Sequence, residues 1–225
     1  MTSQKRISAP RTYNIKRKQS TWVTRVNPGP HDKNALPLNV LLRDILKIAR
    51  NAKEVKRILN KSKVLIDGKV RKNPKFPVGL MDIISIPSLK KCYRITYDSI
   101  GRLKCVLIPN KQAELKIVRI KGKSRKGKAY HLTTNDGRSI IVKLSEGKKY
   151  STHDSLLIKV PSQEIIKHLP FIKNAHSLII GGKHVGMTAV LKEINGHNVV
   201  VIINKEECRT IRDYVFIIDE GVKVE

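Results

Sequence analysis

The chain has 225 residues, of which 40% are hydrophobic, and its 46 Lys and Arg against 18 Asp and Glu give a formal net charge of +28. This length and apolar fraction are enough for one large domain or two to three small ones, which excludes a purely disordered basic tail. Because so large a charge makes the free protein repel itself, it predicts a polyanionic partner, with nucleic acid ahead of an anionic membrane.

The first segment, residues 1–35, carries eight Lys or Arg and one Asp, lacks apolar periodicity and contains three prolines that interrupt helices. We predict an extended basic arm that orders only on RNA, and amide exchange protection of residues 5–30 in the free protein would contradict it. A dispensable disordered tail is the alternative. Trp22 and Val23 argue against that alternative, since a merely solvating tail has little use for them.

A helical pair follows the arm. Apolar residues recur at offsets of three and four and predict a helix over 38–49; they are Leu38, Leu41, Leu42, Ile45, Leu46 and Ala49. On its flank, basic residues repeat at offsets of four and three; they are Arg43, Lys47 and Arg50. Asn51 then fits the N-cap of a second helix, with Glu54 three residues on as in a capping box.

A tight hairpin is predicted next, because Asp67-Gly68 stands between two short β-type runs and glycine accepts the positive φ that such turns need. Ile84 and Ile86 indicate a returning strand. A basic helix flank alone is usually only solvated surface. From Leu36 to Lys91, however, there are 14 Lys or Arg and 4 acidic residues, so internal salt bridges cannot absorb the excess.

From residue 92 the apolar period changes to two, which predicts a series of strands up to residue 174. Between two of these strands lies the segment 122–128, whose sequence is Gly-Lys-Ser-Arg-Lys-Gly-Lys. We predict a charged loop there and regard it as the best single RNA-contact candidate, with a solvated hairpin tip as the alternative.

The last segment, residues 175–225, has six basic and seven acidic residues, so the excess charge lies almost wholly before it. Four short apolar runs predict strands of a small β-barrel, with Asn195-Gly196 as a hairpin turn. Gly181-Gly182 and Gly186 permit close backbone approach, either to a neighbouring strand or to a nucleotide.

Motifs that resemble catalytic ones lack essential residues. Gly122-Lys123-Ser124 ends like a phosphate-binding loop, but the required earlier Gly is replaced by Ile117. Gly101-Arg102-Leu103 resembles a segment of pseudouridine synthases, yet Lys104 follows and the catalytic Asp is missing. We therefore predict no catalytic residues.

The histidines are scattered, without the spacing of a catalytic triad or a metal site. Cys92, Cys105 and Cys208 are widely spaced, which favours small core residues in a reducing compartment over zinc ligands or disulfides. No secretory apolar segment opens the chain, and no run of about 18 apolar residues occurs. We therefore predict no metal site, no cofactor, no membrane contact, no small-molecule substrate and a cytoplasmic location.

Several motifs together resemble those of the archaeal and eukaryotic small-subunit ribosomal protein family called S-four-e. They are Pro28-Gly29-Pro30-His31, Leu36-Pro37-Leu38, Ile66-Asp67-Gly68-Lys69-Val70-Arg71, Gly79-Leu80-Met81-Asp82-Ile83-Ile84-Ser85-Ile86, Tyr97-Asp98-Ser99-Ile100-Gly101-Arg102 and Ile180-Gly181-Gly182 with Gly186. The resemblance covers nearly the whole chain.

This resemblance implies an α+β, β-rich fold with an S-four-type (alpha-L) RNA-binding domain over roughly 42–105, a central β domain and a C-terminal SH-three-like β-barrel of the KOW type near 174–210. Together with the residue patterns, it predicts domains at 1–35, 36–91, 92–174 and 175–225. Two features depart from the family pattern. Ala52 stands where the second helix usually opens with a basic residue, so Lys53 substitutes for it, and the short C-terminus favours the archaeal form.

The implied function is that of a structural constituent of the small (30S) ribosomal subunit, which binds 16S rRNA by phosphate neutralisation and shape contacts beside neighbouring ribosomal proteins. The predicted RNA-binding residues are Arg6, Arg11, Lys16, Arg17, Lys18, Arg43, Lys47, Arg50, Lys53, Lys56, Arg57, Lys69, Arg71, Lys123, Arg125, Lys126 and Lys128. Two alternatives stay open from the sequence: an RNA-modifying enzyme guided by the S-four-type domain, and a free translation regulator or RNA chaperone.

Overall fold

The computed structural model describes residues 3–31, 34–61, 63–219 and 221, which form two compact units. The first unit contains the described residues up to Thr96 together with 102–114, and the second contains 97–101 together with the described residues from Leu115 onwards. Both units are built mainly from strands, and the helices are few and short. This agrees with the predicted β-rich α+β class.

The N-terminal segment of the first unit is folded. Its strands β1 (Ser3–Lys5) and β2 (Trp22–Thr24) pair antiparallel, and Tyr13 and Val23 are buried. The predicted extended arm is therefore corrected. Its buried apolar residues are too sparse to show a period along the sequence, because they are held by contacts between distant positions rather than by one helix or one long strand.

The first predicted helix is shorter than its apolar pattern. After β3 (Leu36–Pro37), α1 (Leu38–Val40) continues into a π-type turn over Leu41–Ile45, in which the Leu46 N–H donates to the Leu41 carbonyl at 2.9 Å. Lys47 then adopts a positive φ of 52°. The prediction of one helix over 38–49 is corrected, because the wide turn and this left-handed residue end the helical path after Ile45.

The second helix, α2 (Ala52–Asn60), begins at the predicted cap. The Asn51 side chain accepts from the Glu54 N–H at 2.9 Å, and the Glu54 carboxylate accepts from the Arg50 N–H at 2.7 Å. In a standard capping box the Glu side chain accepts from the N–H of the N-cap residue. Here Glu54 accepts instead from the N–H of Arg50, one residue before the cap. Val55 and Leu59 are buried on the inner side of α2.

The remaining strands of the first unit are β4 (Leu65–Ile66), β5 (Lys69–Val70), β6 (Pro77–Val78), β7 (Ile83–Ile86), β8 (Lys91–Tyr97) and β9 (Leu103–Ile108). β6 pairs with β3, and the others form a five-stranded sheet in the order β5-β4-β7-β8-β9. The predicted Asp67-Gly68 hairpin is confirmed, since both residues have positive φ. Because β8 and β9 belong to this sheet, it continues past the boundary predicted between residues 91 and 92.

The second unit contains two five-stranded sheets. The elements of the first, here sheet A, are β10 (Leu115–Lys126), β11 (Ala129–Thr134), β12 (Ser139–Lys143), a short helix α3 (Leu144–Gly147), β13 (Ser155–Lys159) and β14 (Glu164–Leu169). The strand order in sheet A is β12-β11-β10-β13-β14. All four neighbouring pairs run antiparallel.

The charged segment 122–128 belongs to this sheet. Lys126 pairs with Ala129, which leaves only Gly127 and Lys128 as the turn. The predicted loop is corrected to the end of a long hairpin, because pairing with β11 supplies the backbone hydrogen bonds that its composition gave no reason to expect. Its side chains therefore have defined directions.

The strands of the second sheet, here sheet B, are β15 (His176–Ile179), β16 (Thr188–Asn195), β17 (Asn198–Ile203), β18 (Glu206–Ile211) and β19 (Val215–Ile217). Their order is β18-β17-β16-β15-β19. Among the described residues β18 and β19 are the two edges, so no closed barrel is found, and the KOW assignment stays a prediction. Sequence reasoning missed β18, whose run Glu-Glu-Cys-Arg-Thr-Ile has no apolar alternation.

The glycines of the C-terminal segment are accounted for by packing inside the second unit. A Cβ on Gly181 would lie 2.6 Å from the Tyr214 ring, and one on Gly186 would lie 2.5 Å from the Asp98 carbonyl oxygen. Gly186 also has a φ of +81°. The sequence left open whether these glycines allow close approach to a neighbouring strand or to a nucleotide. The structure shows close approach to other segments of the same chain.

Candidate nucleic-acid interface

A basic cleft lies in the first unit between the N-terminal segment, the turn after α1 and the start of β9. Its volume is about 1060 Å³. Six cationic side chains and one carboxylate line it, together with uncharged polar and apolar residues; the charged ones are Arg6, Lys16, Arg43, Asp44, Lys47, Arg50 and Arg102. Three regions far apart in sequence thus place cations around one concave surface. We call this surface the basic cleft.

Arg6 forms the inner wall of the basic cleft and is only 3% exposed. Its Nη2 lies 3.0 Å from Asp44 Oδ1, its Nε donates to the Lys16 carbonyl at 2.7 Å, and its Nη1 donates to the Ser20 hydroxyl at 3.3 Å. Arg6 therefore has partners inside the fold, and its predicted RNA contact stays a prediction.

Asp44 also forms an ion pair with a second arginine. Arg43 Nη2 lies 2.8 Å from Asp44 Oδ2, and Arg43 Nε donates to the same oxygen at 3.2 Å. One carboxylate between two guanidinium groups leaves a surplus of positive charge at that point. Lys16, Lys47, Arg50 and Arg102 are exposed around it. Their ammonium and guanidinium groups can bind phosphates.

Arg102 was missed by sequence reasoning. It follows Gly101, which has a φ of +79°, at the point where β9 begins, and the Leu103 N–H donates to the Thr12 carbonyl at 2.9 Å. This bond brings the start of β9 beside the N-terminal segment. Because the contact joins positions about ninety residues apart, no local pattern could have revealed it.

The other predicted cations of the first unit differ in availability. Lys53, Lys56 and Arg57 are exposed on α2, Lys69 is exposed on β5, and Arg11 and Lys18 are exposed in the N-terminal segment. Arg17 is half-buried, and it donates to the carbonyls of Ile7, Ala9 and Pro10. Arg71 is also half-buried, with its guanidinium 4.4 Å from the centroid of the Phe76 ring. These two arginines have structural contacts of their own.

On the β10–β11 hairpin, Arg125, Lys126 and Lys128 are exposed, whereas Lys123 is not. Lys123 Nζ donates to the Tyr150 carbonyl at 2.8 Å and lies 4.7 Å from the centroid of the Tyr130 ring. Three of the four predicted cations of this hairpin thus project to solvent. Lys123 packs against the sheet beneath them.

Among the residues that the structure describes, the titratable groups outside the cleft form separate pairs. His31 Nε2 lies 2.8 Å from Asp82 Oδ1, and His168 Nε2 lies 2.9 Å from Asp154 Oδ2, so these histidines form separate pairs. No group of three His, Cys, Asp or Glu that could hold a metal ion occurs among the described residues. In the same part of the chain, no helix is long and apolar enough to cross a membrane.

The cysteines are free. Cys92 is buried, as predicted, while Cys105 and Cys208 are half-buried. Burial raises the pKa of the Cys105 thiol to about 12, so this thiol stays protonated at neutral pH.

Three family models match the chain in succession: the RS4NT (NUC023) domain at residues 2–34, the S4 domain at 36–84 and Ribosomal family S4e at 89–165. Small ribosomal subunit protein eS4 of Archaeoglobus fulgidus is 41% identical over 224 residues, which cover 96% of this chain and 92% of that protein. The eS4 protein of Methanocaldococcus jannaschii is 41% identical over 229 residues, covering 96% and 93%.

A crystal structure of the 30S ribosomal protein S4e from Thermoplasma acidophilum is similar in fold, with a TM-score of 0.71 and 30% sequence identity. It covers 84% of this chain and 96% of its own. The matching family models and relatives define a ribosomal structural protein rather than an enzyme. The chain belongs to Ribosomal family S4e. The hypothesis of an RNA-modifying enzyme is thereby set aside.

Proposed function

We propose that this protein is a structural constituent of the small (30S) ribosomal subunit, bound to 16S rRNA on cytoplasmic ribosomes beside neighbouring small-subunit proteins. Its role is to hold converging RNA strands by neutralising their phosphates and matching their shape, in support of subunit assembly and translation. The observation that carries the proposal is the basic cleft, where Lys16, Lys47, Arg50 and Arg102 surround a single carboxylate.

The form of the cleft supports phosphate contacts rather than base reading. Its cations come from loops and strand ends around a concavity, so several phosphates from different strands can be contacted at once. The chain has only three Phe, six Tyr and one Trp, too few for extensive base stacking. Two further cationic surfaces are proposed as separate RNA contacts. They are the outer side of α2, with Lys53, Lys56 and Arg57, and the tip of the β10–β11 hairpin, with Arg125, Lys126 and Lys128.

The relatives support the ribosomal setting. The proteins of Archaeoglobus fulgidus and Methanocaldococcus jannaschii are named as small ribosomal subunit proteins, and each matches nearly the whole of this chain. A free translation regulator with the same fold is the competing proposal. Sedimentation of cell lysate separates the two, since a subunit component travels with the small subunit and a regulator peaks elsewhere.

Charge reversal tests the cleft directly. The variant carries Lys47→Glu, Arg50→Glu and Arg102→Glu, and the matched control carries Lys183→Glu, Lys205→Glu and Arg209→Glu at exposed positions of the C-terminal segment. We expect the cleft variant to bind a 16S rRNA transcript more weakly and to lower the salt slope by about one for each lost phosphate contact.

In reconstitution, the cleft variant should enter small subunits slowly or not at all, while the control enters at the normal rate. Normal incorporation of the cleft variant would contradict the assignment of the cleft. Circular dichroism of both variants establishes that charge reversal has not unfolded the protein.

A further inference from the structure

Trp22 is the one tryptophan of the chain, and it lies on the outer face of β2 with 57% of its surface exposed. Its neighbour Val23 is only 2% exposed, so the strand has a buried side and an open side. Tryptophan is usually among the more buried residues because its large ring gains much from leaving water. An indole on the open side of a paired strand therefore points to a partner.

The backbone holds this indole in place beside a cation. Trp22 pairs directly with Lys5 across the β1–β2 ladder, and paired side chains of two strands stand on the same face about 5 Å apart. Lys5 is exposed. An aromatic face and an ammonium group thus stand side by side on a fixed backbone.

The same position adjoins the basic cleft. The Ser20 hydroxyl donates to the Trp22 carbonyl at 3.4 Å and accepts from Arg6 Nη1 at 3.3 Å. Both Arg6 and Ser20 line the basic cleft. Trp22 is two residues from Ser20 and Lys5 adjoins Arg6, so both lie beside residues that line the basic cleft.

The chemistry of the surroundings favours a nucleotide over a protein. Residues 3–31 contain seven Lys or Arg and no Asp or Glu, so a negatively charged partner is attracted. Among the described residues of that range, Ile7 and Trp22 are the large apolar side chains that stand exposed. Docked proteins bury broad patches, whereas one unpaired base needs a single ring for its π-face and one cation for its phosphate.

We propose that Trp22 is a stacking platform for one unpaired base of the RNA bound at the basic cleft, with Lys5 on the adjoining phosphate. This inference rests on the proposed function and deepens it, because it assigns a single-stranded or bulged element to this edge of the interface.

Because Trp22 is the sole tryptophan, its fluorescence reports the contact directly. The full-length protein is titrated with a hairpin RNA that has a single-stranded purine loop, and with a fully paired RNA of the same length, while anisotropy of a labelled RNA measures binding. We expect quenching of Trp22 fluorescence by the loop RNA and little change with the paired RNA.

Substitutions separate stacking from general apolar contact. Trp22→Ala should weaken loop RNA binding by about tenfold, the loss of one base stack, with paired RNA affected by less than about twofold. Trp22→Phe should retain most of the affinity, because it keeps an aromatic face, and Trp22→Leu should lose it. Leu107→Ala, at an apolar residue of β9 that is 52% exposed, is the matched control and should bind as the native chain does.

Three results would overturn the inference while leaving the proposed function intact. They are binding of loop RNA without a change in Trp22 fluorescence, native affinity in Trp22→Leu, and a photo-crosslink from Trp22 to a neighbouring protein instead of a nucleotide in reconstituted subunits. If the native protein binds neither RNA at moderate salt, the proposed function fails and the inference fails with it.

Discussion

The Arg6 guanidinium lies 3.0 Å from the Asp44 carboxylate, joining the N-terminal segment to the π-type turn across 38 residues of sequence. Arg6 is 3% exposed, and the Asp44 side chain is 14% exposed. A charge so far from water is stabilised only while its partner stays. The pair therefore holds the inner wall of the basic cleft and is part of the reason why the N-terminal segment is folded.

The first prediction concerns this pair. Arg6→Ala should lower the free energy of unfolding by about 3 kcal/mol, because it leaves Asp44 with one guanidinium and opens a void in the wall. Chemical denaturation measures the change, and Arg11→Ala, at an exposed arginine of the same segment, should alter stability by less than about 0.5 kcal/mol. If Arg6→Ala lowered the free energy of unfolding as little as Arg11→Ala does, Arg6 would not stabilise the fold.

A second buried pair predicts a pH dependence. Lys116 Nζ lies 2.8 Å from Asp136 Oδ2, and both side chains are 1% exposed. Burial by itself would raise the pKa of Asp136, but the charge and hydrogen bond of Lys116, the Thr134 hydroxyl and the charge of Arg138 together bring it below the ordinary value. A depressed folded-state pKa contributes stability that is present above the unfolded pKa of about 4 and is lost as the pH falls through the folded value.

We therefore expect unfolding to become easier in acid below about pH 4, as followed by urea denaturation. Asp136→Asn should be less stable than the native chain by about 3 kcal/mol at neutral pH, since Lys116 is left buried without its counter-charge. That difference should shrink as the native carboxylate takes up its proton. Glu164→Gln, at an exposed carboxylate, serves as control. A difference independent of pH would contradict the assignment.

On the β10–β11 hairpin, the exposed cations should affect RNA binding and the packed one should affect stability. The triple variant Arg125→Glu, Lys126→Glu and Lys128→Glu should bind RNA more weakly, with the salt slope reduced by about three. Its stability should stay within about 0.5 kcal/mol of the native value, because these side chains are exposed.

The matched variant Lys123→Met should do the reverse. It loses the hydrogen bond to the Tyr150 carbonyl and the contact with the Tyr130 ring, so we expect a loss of about 1–2 kcal/mol in stability. RNA binding and denaturation are measured on both proteins. A triple variant that unfolds, or a Lys123→Met protein of native stability, would contradict this division.

Gly186 and Gly196 differ in how much space an added Cβ would have. Gly186→Ala should destabilise the second unit by more than about 2 kcal/mol, because the new Cβ would lie 2.5 Å from the Asp98 carbonyl oxygen and the φ is +81°. Gly196 has a φ of +60°, but an added Cβ would have nothing within 4 Å. Gly196→Ala should therefore lower stability by about 1 kcal/mol, from backbone strain alone. Thermal denaturation compares the two, and equal losses would show that the approach to Asp98 is unimportant.

Several local features were predictable from the residues. The Asp67-Gly68 turn adopts its two positive φ values, Asn51 caps α2 through Glu54, and the alternating runs after residue 91 form β8 and β9. Such features depend on interactions across a few residues. The strand β18 escaped prediction because its ladder with β17 supplies the pairing that its side chains do not indicate.

The family resemblance was also visible in the sequence and is confirmed by the matching family models. The residue-by-residue choice of RNA contacts was less secure. Arg6, Arg17 and Lys123 look like their basic neighbours in a sequence, but each has its donors turned to carbonyls or a carboxylate inside the fold. Arg102 belongs to none of the predicted basic clusters, yet it lies at the cleft.

By itself the sequence determined the net positive charge, which predicts a polyanionic partner. It also determined the turns, the helix cap and the family. These follow from composition and from φ preferences and hydrogen bonds between near neighbours. Only the tertiary structure decided which cations face outward and which are buried, and that Lys16, Lys47 and Arg102 line one cleft. The physical reason is that burial and convergence depend on contacts between positions tens of residues apart, such as Arg6 with Asp44 and Leu103 with Thr12.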